Sequence, residues 1–226
     1  MDKKTQVKRI FDTISPNYDF LNHFLSVGID FYWRKKALKL SGVGKDTKLL
    51  DVACGTGDFS IAAKKMGVAQ IVGIDLSKNM LGYFNEKVDW SKGYLVQSVA
   101  EFIPLKSETF TNITVAFGVR NFYDIKKGFE SFYKVLEPNG KVTILEFRLP
   151  KNKIVKSLYM FYFDKILPLL GRLISKDKEA YTYLPESVNA FDANIDLEKY
   201  LTETNFKNIK KHSMTFGIVQ VVIADK

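Results

Sequence analysis

The sequence is poor in the residues that build disulfides and most metal sites. Its 226 residues include one cysteine, Cys54, and two histidines, His23 and His212. A single cysteine excludes an internal disulfide and a zinc site made of four cysteines. We therefore expect a protein of the reducing cytosol, and the sequence predicts no bound metal.

Long uncharged apolar runs are missing as well. Residues 1–12 are repeatedly charged, so they lack the apolar segment of a secretory signal. The most hydrophobic long stretch, residues 157–174, is interrupted by Asp164, Lys165 and Arg172. A membrane-spanning helix needs about 20 nearly uncharged residues. The sequence predicts no export by that route and no transmembrane segment, and we expect a cytoplasmic protein.

The chain is basic, with 34 Lys+Arg against 25 Asp+Glu and a formal charge of +9. The excess lies in the two flanks, residues 1–50 and 151–226, rather than in the middle. Basic flanks suit nucleic acid or an anionic membrane surface, but a solvated lysine-rich surface has the same composition. At 46% hydrophobic residues the chain is too apolar to be disordered, and its length predicts a single domain, residues 1–226.

Short β-branched runs alternate with segments of helical character, which is typical of an α/β fold with a mainly parallel sheet. The candidate strands are Lys48–Ala53, Gln70–Leu76, Tyr94–Val99, Asn112–Phe117 and Lys141–Phe147, followed by a closing pair at the sheet edge, Asn208–Ser213 and Gly217–Ala224. Helices are predicted after Gly57, from Ser77, and over residues 124–136 before the Pro138-Asn139-Gly140 turn.

Two segments stand outside this alternation. Residues 1–45 contain Val7, Ile10, Phe11 and Ile14 at helical spacing, which predicts an amphipathic helix in an N-terminal lid. Residues 150–200 form an insertion before the last strands. Its aromatic residues are Tyr159, Phe161, Tyr162, Phe163, Tyr181, Tyr183 and Phe191. They predict either additional core or a cover over a ligand site at the carboxyl ends of the strands.

The strongest local signal is the run Asp51-Val52-Ala53-Cys54-Gly55-Thr56-Gly57-Asp58, a strand that enters a glycine-rich turn and opens a helix. The glycines allow the backbone to approach a ligand, and the helix N-terminus offers free N–H groups. Ser60 stands where a dinucleotide fingerprint needs glycine or alanine, and no Lys-Ser/Thr pair follows. Both NAD and Walker-type phosphate binding are therefore disfavoured.

Asp75 ends the second candidate strand, near the spacing of about 20 residues expected of a carboxylate that binds a ribose diol. One carboxylate can accept a hydrogen bond from each of two hydroxyls. Together with the glycine-rich turn, Asp75 predicts a ligand that carries a nucleoside.

Several motifs together resemble the S-adenosylmethionine-dependent C-methyltransferases of menaquinone and ubiquinone biosynthesis. They are DVACGTGD at 51–58, GIDLSKNML at 73–81, FGVRN at 117–121, KVLEPNGKVTILEF at 134–147, YLPES at 183–187 and, near the N-terminus, FDTISPNYD at 11–19. The first is shared by most class I methyltransferases, whereas FGVRN and YLPES indicate the quinone branch. The resemblance implies a class I Rossmann-like sheet of seven strands with an antiparallel edge pair, an N-terminal helical lid and an aromatic helical insertion.

The resemblance also implies which residues bind the cofactor, S-adenosyl-L-methionine. They are Asp51, Gly55, Thr56, Gly57, Asp75, Leu76, Val99, Ala100 and Ala116. Val99 departs from the acid or amide usual near the adenine, and Ala116 departs from the usual serine. A valine side chain accepts no hydrogen bond from the adenine amino group, so either backbone atoms do so or cofactor affinity is reduced.

For catalysis the resemblance implies a reduced, prenylated quinol as substrate, because an oxidised quinone is an electrophile. Arg120 and Asn121 follow the fourth strand and are candidates to stabilise the phenolate, and Tyr18 joins them as a candidate catalytic residue. The proton acceptor stays open among Tyr18, Asp19, His23, Glu146 and water. Demethylmenaquinol is the expected acceptor, with a methoxy-benzoquinol as the alternative.

The prenyl tail makes an anionic membrane face a candidate partner, which the aromatic insertion and basic flanks would contact. A nucleic-acid methyltransferase is the first rival, but the Asn/Asp-Pro-Pro-Tyr/Phe motif of amino-methylating enzymes is absent where the chain has FGVRN. We therefore expect no nucleic acid partner. A non-catalytic scaffold subunit is the second alternative to a quinol methyltransferase. Activity of the isolated chain would distinguish the enzyme from the scaffold. The sequence indicates no oligomeric state.

Overall fold

The computed structural model describes residues 2–166 and 178–226, which form a seven-stranded sheet with helices on both faces. The strands are β1 Lys48–Val52, β2 Gln70–Asp75, β3 Leu95–Gln97, β4 Phe110–Ala116, β5 Leu136–Phe147, β6 Lys207–Met214 and β7 Val219–Asp225. Their spatial order is β3-β2-β1-β4-β5-β7-β6. The first five strands pair in parallel, and β7 runs antiparallel between β5 and β6. The α/β fold with an antiparallel edge pair is confirmed.

The helices are α1 Lys3–Ile14, α2 Tyr18–Leu25, α3 Ile29–Ser41, α4 Asp58–Lys65, α5 Lys78–Lys87, α6 Ile125–Val135, α7 Lys153–Phe161, α8 Lys178–Asn194 and α9 Leu197–Glu203. A short 3-10 turn at Ser15–Asn17 separates α1 from α2, because Pro16 removes a backbone donor at that point. Gly57 caps the start of α4, and Ser77 caps α5 by accepting a hydrogen bond from the Met80 amide.

The sheet is covered on both faces by apolar clusters, as near-continuous hydrophobic strands require. On one face β1, β4 and β5 pack against α6, where Phe129 and Phe132 are fully buried. On the other face Trp33 of α3 and Phe59 of α4 pack against the opposite side of the strands. Packing on both faces holds these strands in place, and the candidate site lies at their carboxyl ends.

The strand boundaries differ from the prediction by one or two residues, apart from the start of β5, which lies five residues earlier than predicted. β3 is confined to Leu95–Gln97, since it lies at the sheet edge and pairs only with β2. β5 begins at Leu136, before the predicted turn, because Leu136 pairs with Phe110 and the chain passes through Pro138–Gly140 as an irregularity in the strand. The left-handed φ of 64° at Asn139 produces that irregularity.

Parts of the aromatic insertion lie outside the described residues. These are residues 167–177, which include the end of the apolar stretch 157–174, and the side chain of Tyr181. The described part forms α7, a π turn at Tyr162–Ile166, and α8. Within the described ranges, no helix is both long and apolar enough to cross a bilayer.

Candidate functional site

A cavity of about 90 Å³ lies where the carboxyl ends of β1, β2 and β4 meet, beneath α1. Its walls include Gly55, Asp75, Leu76, Val99, Ala100 and Ala116 from the predicted cofactor residues, with Lys4, Val7, Lys8 and Phe11 on the lid side. This cavity therefore brings six of the nine predicted residues together, and we call it the cofactor cavity after the ligand predicted for them. It lies at the edge where ligands of open α/β sheets bind.

Asp75 lies in the wall of the cofactor cavity with a hydrogen bond to each carboxylate oxygen. Oδ2 accepts from the Gly55 amide at 2.8 Å and Oδ1 accepts from the Ser77 amide at 2.8 Å. Burial raises the pKa of Asp75 to about 6, although both amides lower it. A carboxylate oxygen carries two lone pairs, so each can accept one further hydrogen bond from a ligand.

The two glycines of the turn serve different purposes. A Cβ on Gly57 would stand 2.3 Å from the Phe84 ring of α5, so this glycine allows α4 and α5 to approach closely. A Cβ on Gly55 would meet only Tyr18, at 3.9 Å. Gly55 thus borders open space next to the ligand cavity, and both glycines adopt the positive φ that glycine tolerates best.

Asp51 lies below the glycine-rich turn and outside the walls of the cofactor cavity. Its carboxylate accepts hydrogen bonds from the hydroxyls of Ser60 at 2.6 Å and Thr114 at 3.0 Å. Burial raises its pKa to about 6. Asp51 does border a smaller cavity of about 30 Å³, together with Gly55 and Thr56.

Several polar contacts hold the predicted lid, residues 1–45, against the site. The hydroxyl of Ser77 donates to the Asp12 carboxylate of α1, and the hydroxyl of Thr56 donates to Asp19 of α2. The ammonium of Lys3 donates to the backbone carbonyl of Arg120 at 3.1 Å. The predicted lid residues therefore touch both the glycine-rich turn and the FGVRN segment.

A larger apolar cavity of about 270 Å³ lies beside the cofactor cavity, and we call it the acceptor cavity. It is bordered by lid residues, by Phe117, Arg120 and Phe147 at the strand ends, and by the aromatic insertion. Its aromatic walls are Phe11, Tyr18, Trp33, Phe117, Phe147, Tyr159, Tyr162, Phe163 and Tyr183. Tyr18 borders the cofactor cavity, the acceptor cavity and the small cavity at Asp51, so it stands at their junction.

Arg120 is the one cationic side chain among the described walls of the acceptor cavity. It is 9% exposed, and its Nη1 donates to Glu146 Oε1 at 2.8 Å and to the Phe117 carbonyl. Glu146 is fully buried at the end of β5, and its second oxygen accepts from the Arg120 amide at 3.3 Å. A buried arginine needs such a partner, because an unpaired charge in this environment is very costly.

Helix α8 braces the FGVRN segment through two side chains of the YLPES motif. Tyr183 donates its hydroxyl to Asn121 Oδ1 at 2.7 Å, and Arg120 Nε donates to Ser187 Oγ at 3.3 Å. The two motifs that carry the more specific part of the resemblance are therefore in direct contact. Asn121 lines the cofactor cavity, whereas Arg120 lines the acceptor cavity.

The side chains considered as proton acceptors differ in their partners and in whether they border the acceptor cavity. Burial raises the pKa of Tyr18 to about 12, so its phenol is protonated at neutral pH. Asp19 is bound by Thr56 and Lys87, and Glu146 is bound by Arg120. His23 lies between two carboxylates. No histidine, aspartate or glutamate borders the acceptor cavity in the described part of the chain.

Asp19, His23 and Asp58 form a cluster whose ligand atoms lie within 4.8 Å of one another, a spacing compatible with a cation. Lys87 already stands among them, with its ammonium 2.9 Å from Asp58. Arg34 lies 3.6 Å from the same carboxylate. These cations compensate the negative charge, so the cluster is an ion-pair network that joins the lid to α4.

Sequence reasoning missed the pairing of Glu146 with Arg120 and the bracing by Tyr183 and Ser187. Glu146 carried a signal, because a carboxylate stands in a strand that is otherwise apolar and buried on both faces. Such a residue requires a buried partner. Tyr183 and Ser187 belonged to a recognised motif, but nothing local indicated which segment they contact.

The chain matches the model of the ubiE/COQ5 methyltransferase family over residues 1–226. It is 42% identical to the ubiquinone/menaquinone biosynthesis C-methyltransferase UbiE of Geotalea daltonii, over 100% of this chain and 98% of that protein. It is 38% identical to the demethylmenaquinone methyltransferase of Chlorobaculum parvum, over 99% of this chain and 93% of that protein.

Solved structures show the same fold at much lower identity. A putative S-adenosyl-L-methionine-dependent methyltransferase of Methanococcus maripaludis has a TM-score of 0.65 and 20% identity, with 95% of this chain and 93% of that one covered. An Aquifex aeolicus methyltransferase has a TM-score of 0.59 and 17% identity, with 85% and 88% covered. The class I methyltransferase fold is thereby confirmed. The chain belongs to the ubiE/COQ5 methyltransferase family and is an S-adenosyl-L-methionine-dependent C-methyltransferase of quinone biosynthesis.

Proposed function

We propose that the chain methylates demethylmenaquinol, a reduced and prenylated naphthoquinol, at the ring carbon next to a hydroxyl. The observation that carries this is the position of Arg120, a buried cation in the wall of an aromatic cavity that meets the cofactor cavity at Tyr18. The relatives named demethylmenaquinone methyltransferase support the naphthoquinol, and those named UbiE keep a methoxy-benzoquinol as the alternative.

The cofactor residues fit S-adenosyl-L-methionine. Asp75 is half-buried at the strand end with lone pairs available for a ribose diol, and among the described residues only Tyr18 comes near a Cβ built on Gly55. Leu76, Val99 and Ala100 offer an apolar setting for an adenine. When bound, the cofactor supplies a methyl group on a sulfonium.

Arg120 and its neighbours would stabilise the charge that develops on the quinol oxygen. Glu146 and Phe117 engage Nη1, and Ser187 engages Nε, so Nη2 has no acceptor among the described residues. Tyr183 occupies Asn121 Oδ1, which leaves the Asn121 amide hydrogens to donate. Preorganised donors of this kind stabilise an oxyanion strongly, because they need no reorganisation when the charge forms.

The proton that leaves the quinol hydroxyl would pass to water. After the ring carbon takes the methyl group and the carbon–sulfur bond breaks, that ring carbon loses its own hydrogen as a proton and the oxygen regains one, which restores the aromatic quinol. The described wall of the acceptor cavity contains no carboxylate or imidazole, and Tyr18 is a hydrogen-bond donor because of its raised pKa. Arg120 makes loss of the proton easier, since a nearby positive charge lowers the pKa of a phenol. The acceptor must be the quinol, because the electrons released by the oxygen make the ring carbon nucleophilic.

Methyl transfer from labelled S-adenosyl-L-methionine tests the function. The purified chain is offered dithionite-reduced demethylmenaquinone, the same compound fully oxidised, a reduced methoxy-benzoquinone and bulk tRNA. Label in the reduced naphthoquinol alone supports the proposal, and label in the benzoquinol selects the alternative ring. Equal rates with oxidised and reduced substrate would contradict the mechanism, label in tRNA would contradict the substrate class, and cofactor binding without transfer would support a scaffold.

We further propose that α2 and α7 contact an anionic membrane surface to receive the prenylated substrate. Phe20 and Phe24 on α2 and Leu158 and Phe161 on α7 are 49–66% exposed, and Tyr162 next to α7 donates to a carbonyl of α2. Lysines flank the start of α7 at positions 151, 153 and 156. Exposed aromatics combined with lysines are typical of interfacial helices.

Flotation with liposomes tests this surface. The wild-type chain should float with vesicles that contain anionic lipid, and replacing Leu158 and Phe161 by glutamate should reduce the bound fraction at least tenfold. Phe102→Glu is the matched control, because Phe102 is 66% exposed on another part of the fold. Equal flotation of all three proteins, or none with the wild type, would refute the contact.

A further inference from the structure

In the described part of the chain, two buried polar groups in the wall of the acceptor cavity have no hydrogen-bond partner. They are the hydroxyl of Tyr159 on α7 and Nδ2 of Asn22 on α2, and both atoms are buried. Tyr159 is only 7% exposed. Buried polar groups in native proteins are almost always paired, so a group with no partner in the protein is a candidate to bind water or a ligand. These two belong to elements that pack together around Leu21 and Phe163.

Several other polar groups of the same cavity already have a partner in the protein. Tyr162 donates to the Leu25 carbonyl at 2.8 Å, and Tyr183 donates to Asn121 at 2.7 Å. Trp33 donates its indole N–H to Thr215 at 2.7 Å. The Tyr159 hydroxyl and Asn22 Nδ2 therefore differ from these groups, because they lack a hydrogen-bond partner among the described residues.

The proposed substrate has a second oxygen that needs a partner. A quinol ring carries two hydroxyls in para positions, and Arg120 with Asn121 accounts for only the one next to the reacting carbon. The rest of the acceptor cavity is predominantly apolar in its described part, and a second hydroxyl buried there without a partner would lose its hydrogen bonds to water.

We propose that Tyr159 and Asn22 bind the second, distal oxygen of the quinol ring and so select a para-quinol over a phenol that has one hydroxyl. This inference rests on the proposed function. Asn22 Nδ2 donates to the oxygen, and the phenol of Tyr159 donates or accepts. Tyr159 remains a neutral hydrogen-bonding group, because burial raises its pKa above the ordinary value. A site built to pair with a hydroxyl rejects an analogue that lacks it.

The test compares two acceptors and three proteins. The acceptors are a reduced demethylmenaquinone and the matching prenylated 1-naphthol, which keeps the hydroxyl beside the reacting carbon and has hydrogen at the distal position. The proteins are the wild type, Tyr159→Phe and the control Tyr162→Phe, whose hydroxyl already has a backbone partner. The readouts are kcat/KM for each acceptor, the Kd of S-adenosyl-L-methionine and the melting temperature.

The wild type should prefer the quinol over the naphthol by about tenfold or more, as expected for loss of a partner to a buried polar group. Tyr159→Phe should reduce that preference several-fold, towards the part that Asn22 maintains, while the cofactor Kd stays unchanged. Its melting temperature should not fall, because the variant removes an unpaired hydroxyl. Tyr162→Phe should keep the wild-type preference.

An unchanged preference in Tyr159→Phe would overturn the assignment, and so would an equal loss of preference in Tyr162→Phe. A wild type that methylates neither acceptor would refute the proposed function, and this inference would fall with it. Activity with the quinol together with an unchanged preference would refute only the distal-oxygen site. The two failures are therefore distinguishable.

Discussion

Tyr183 donates a hydrogen bond to Asn121 across 62 residues of sequence, with an O···O distance of 2.7 Å. The bond joins α8 to the loop after β4 and fixes which end of the Asn121 amide faces the site. Tyr183→Phe should lower kcat about tenfold through misplacement of Asn121, with less than a twofold change in cofactor affinity. Steady-state kinetics and calorimetry measure the two quantities. Tyr200→Phe on α9 serves as the control, and equal losses of kcat in both variants would refute the bracing role.

Glu146 should act through Arg120 rather than as a base. Glu146→Gln leaves a buried guanidinium without its counter-charge, so we expect a loss of about 3 kcal/mol in the free energy of unfolding and a lower kcat. Urea denaturation and initial rates measure both. Glu137→Gln is the control, since its ion pair with Lys48 is partly exposed and should contribute less than about 1 kcal/mol. A stable Glu146→Gln variant with a normal rate would contradict the pairing argument.

Asp75 should control cofactor affinity. Asp75→Ala should weaken binding of S-adenosyl-L-methionine at least tenfold, because the ribose diol loses a charged acceptor. With a pKa of about 6, the wild-type carboxylate becomes protonated as the pH falls through that value, so the affinity should fall as well. Calorimetry between pH 5 and 8 would show both effects. Asp89→Ala, at an exposed aspartate, should leave the affinity unchanged, and unchanged affinity in a folded Asp75→Ala would refute the ribose assignment.

Asp51 should contribute more to the free energy of unfolding in mild acid than above pH 6. Its pKa of about 6 exceeds the ordinary value of 3.8, so between those values the folded chain holds a proton that the unfolded chain has lost. This contribution is complete below about pH 4 and is lost as the pH rises through 6. The difference between a pKa of about 6 and one of 3.8 corresponds to roughly 3 kcal/mol in the free energy of unfolding. Asp51→Asn should reduce the dependence of the free energy of unfolding on pH between about 4 and 6. Parallel plots of unfolding free energy against pH for the variant and the wild type would contradict this prediction.

The sequence predicted the order of the seven strands and the positions of the helices α1, α4, α5 and α6, because their signals are local. Short apolar runs mark strands covered on both faces, Ser77 marks a helix start, and Pro16 marks a break. The third strand was predicted too long, since its length depends on a single neighbour in the sheet. The fifth was predicted too short, because its pairing with Phe110 is set by tertiary contact.

The sequence predicted which residues lie together at the site when those residues stand at or just after the carboxyl end of a strand. Asp75, Val99 and Ala116 meet at one cavity because parallel strands end on the same side of a sheet. Contacts between distant segments were not predictable in this way. Nothing in the sequence around Asp12 indicates that it accepts a hydrogen bond from Ser77, and nothing around Ser187 indicates that it contacts Arg120.

The close approach of Gly57 to Phe84 changes how substitutions in the glycine-rich turn should be interpreted. A methyl group at position 57 collides with a buried aromatic ring, so an inactive Gly57→Ala protein reports a displaced helix α5 rather than a lost ligand contact. A screen that scores activity alone would assign both glycines the same role. The most recognisable motif of the chain is thus partly a packing motif, and a substitution at Gly55 rather than at Gly57 tests whether this turn binds a ligand.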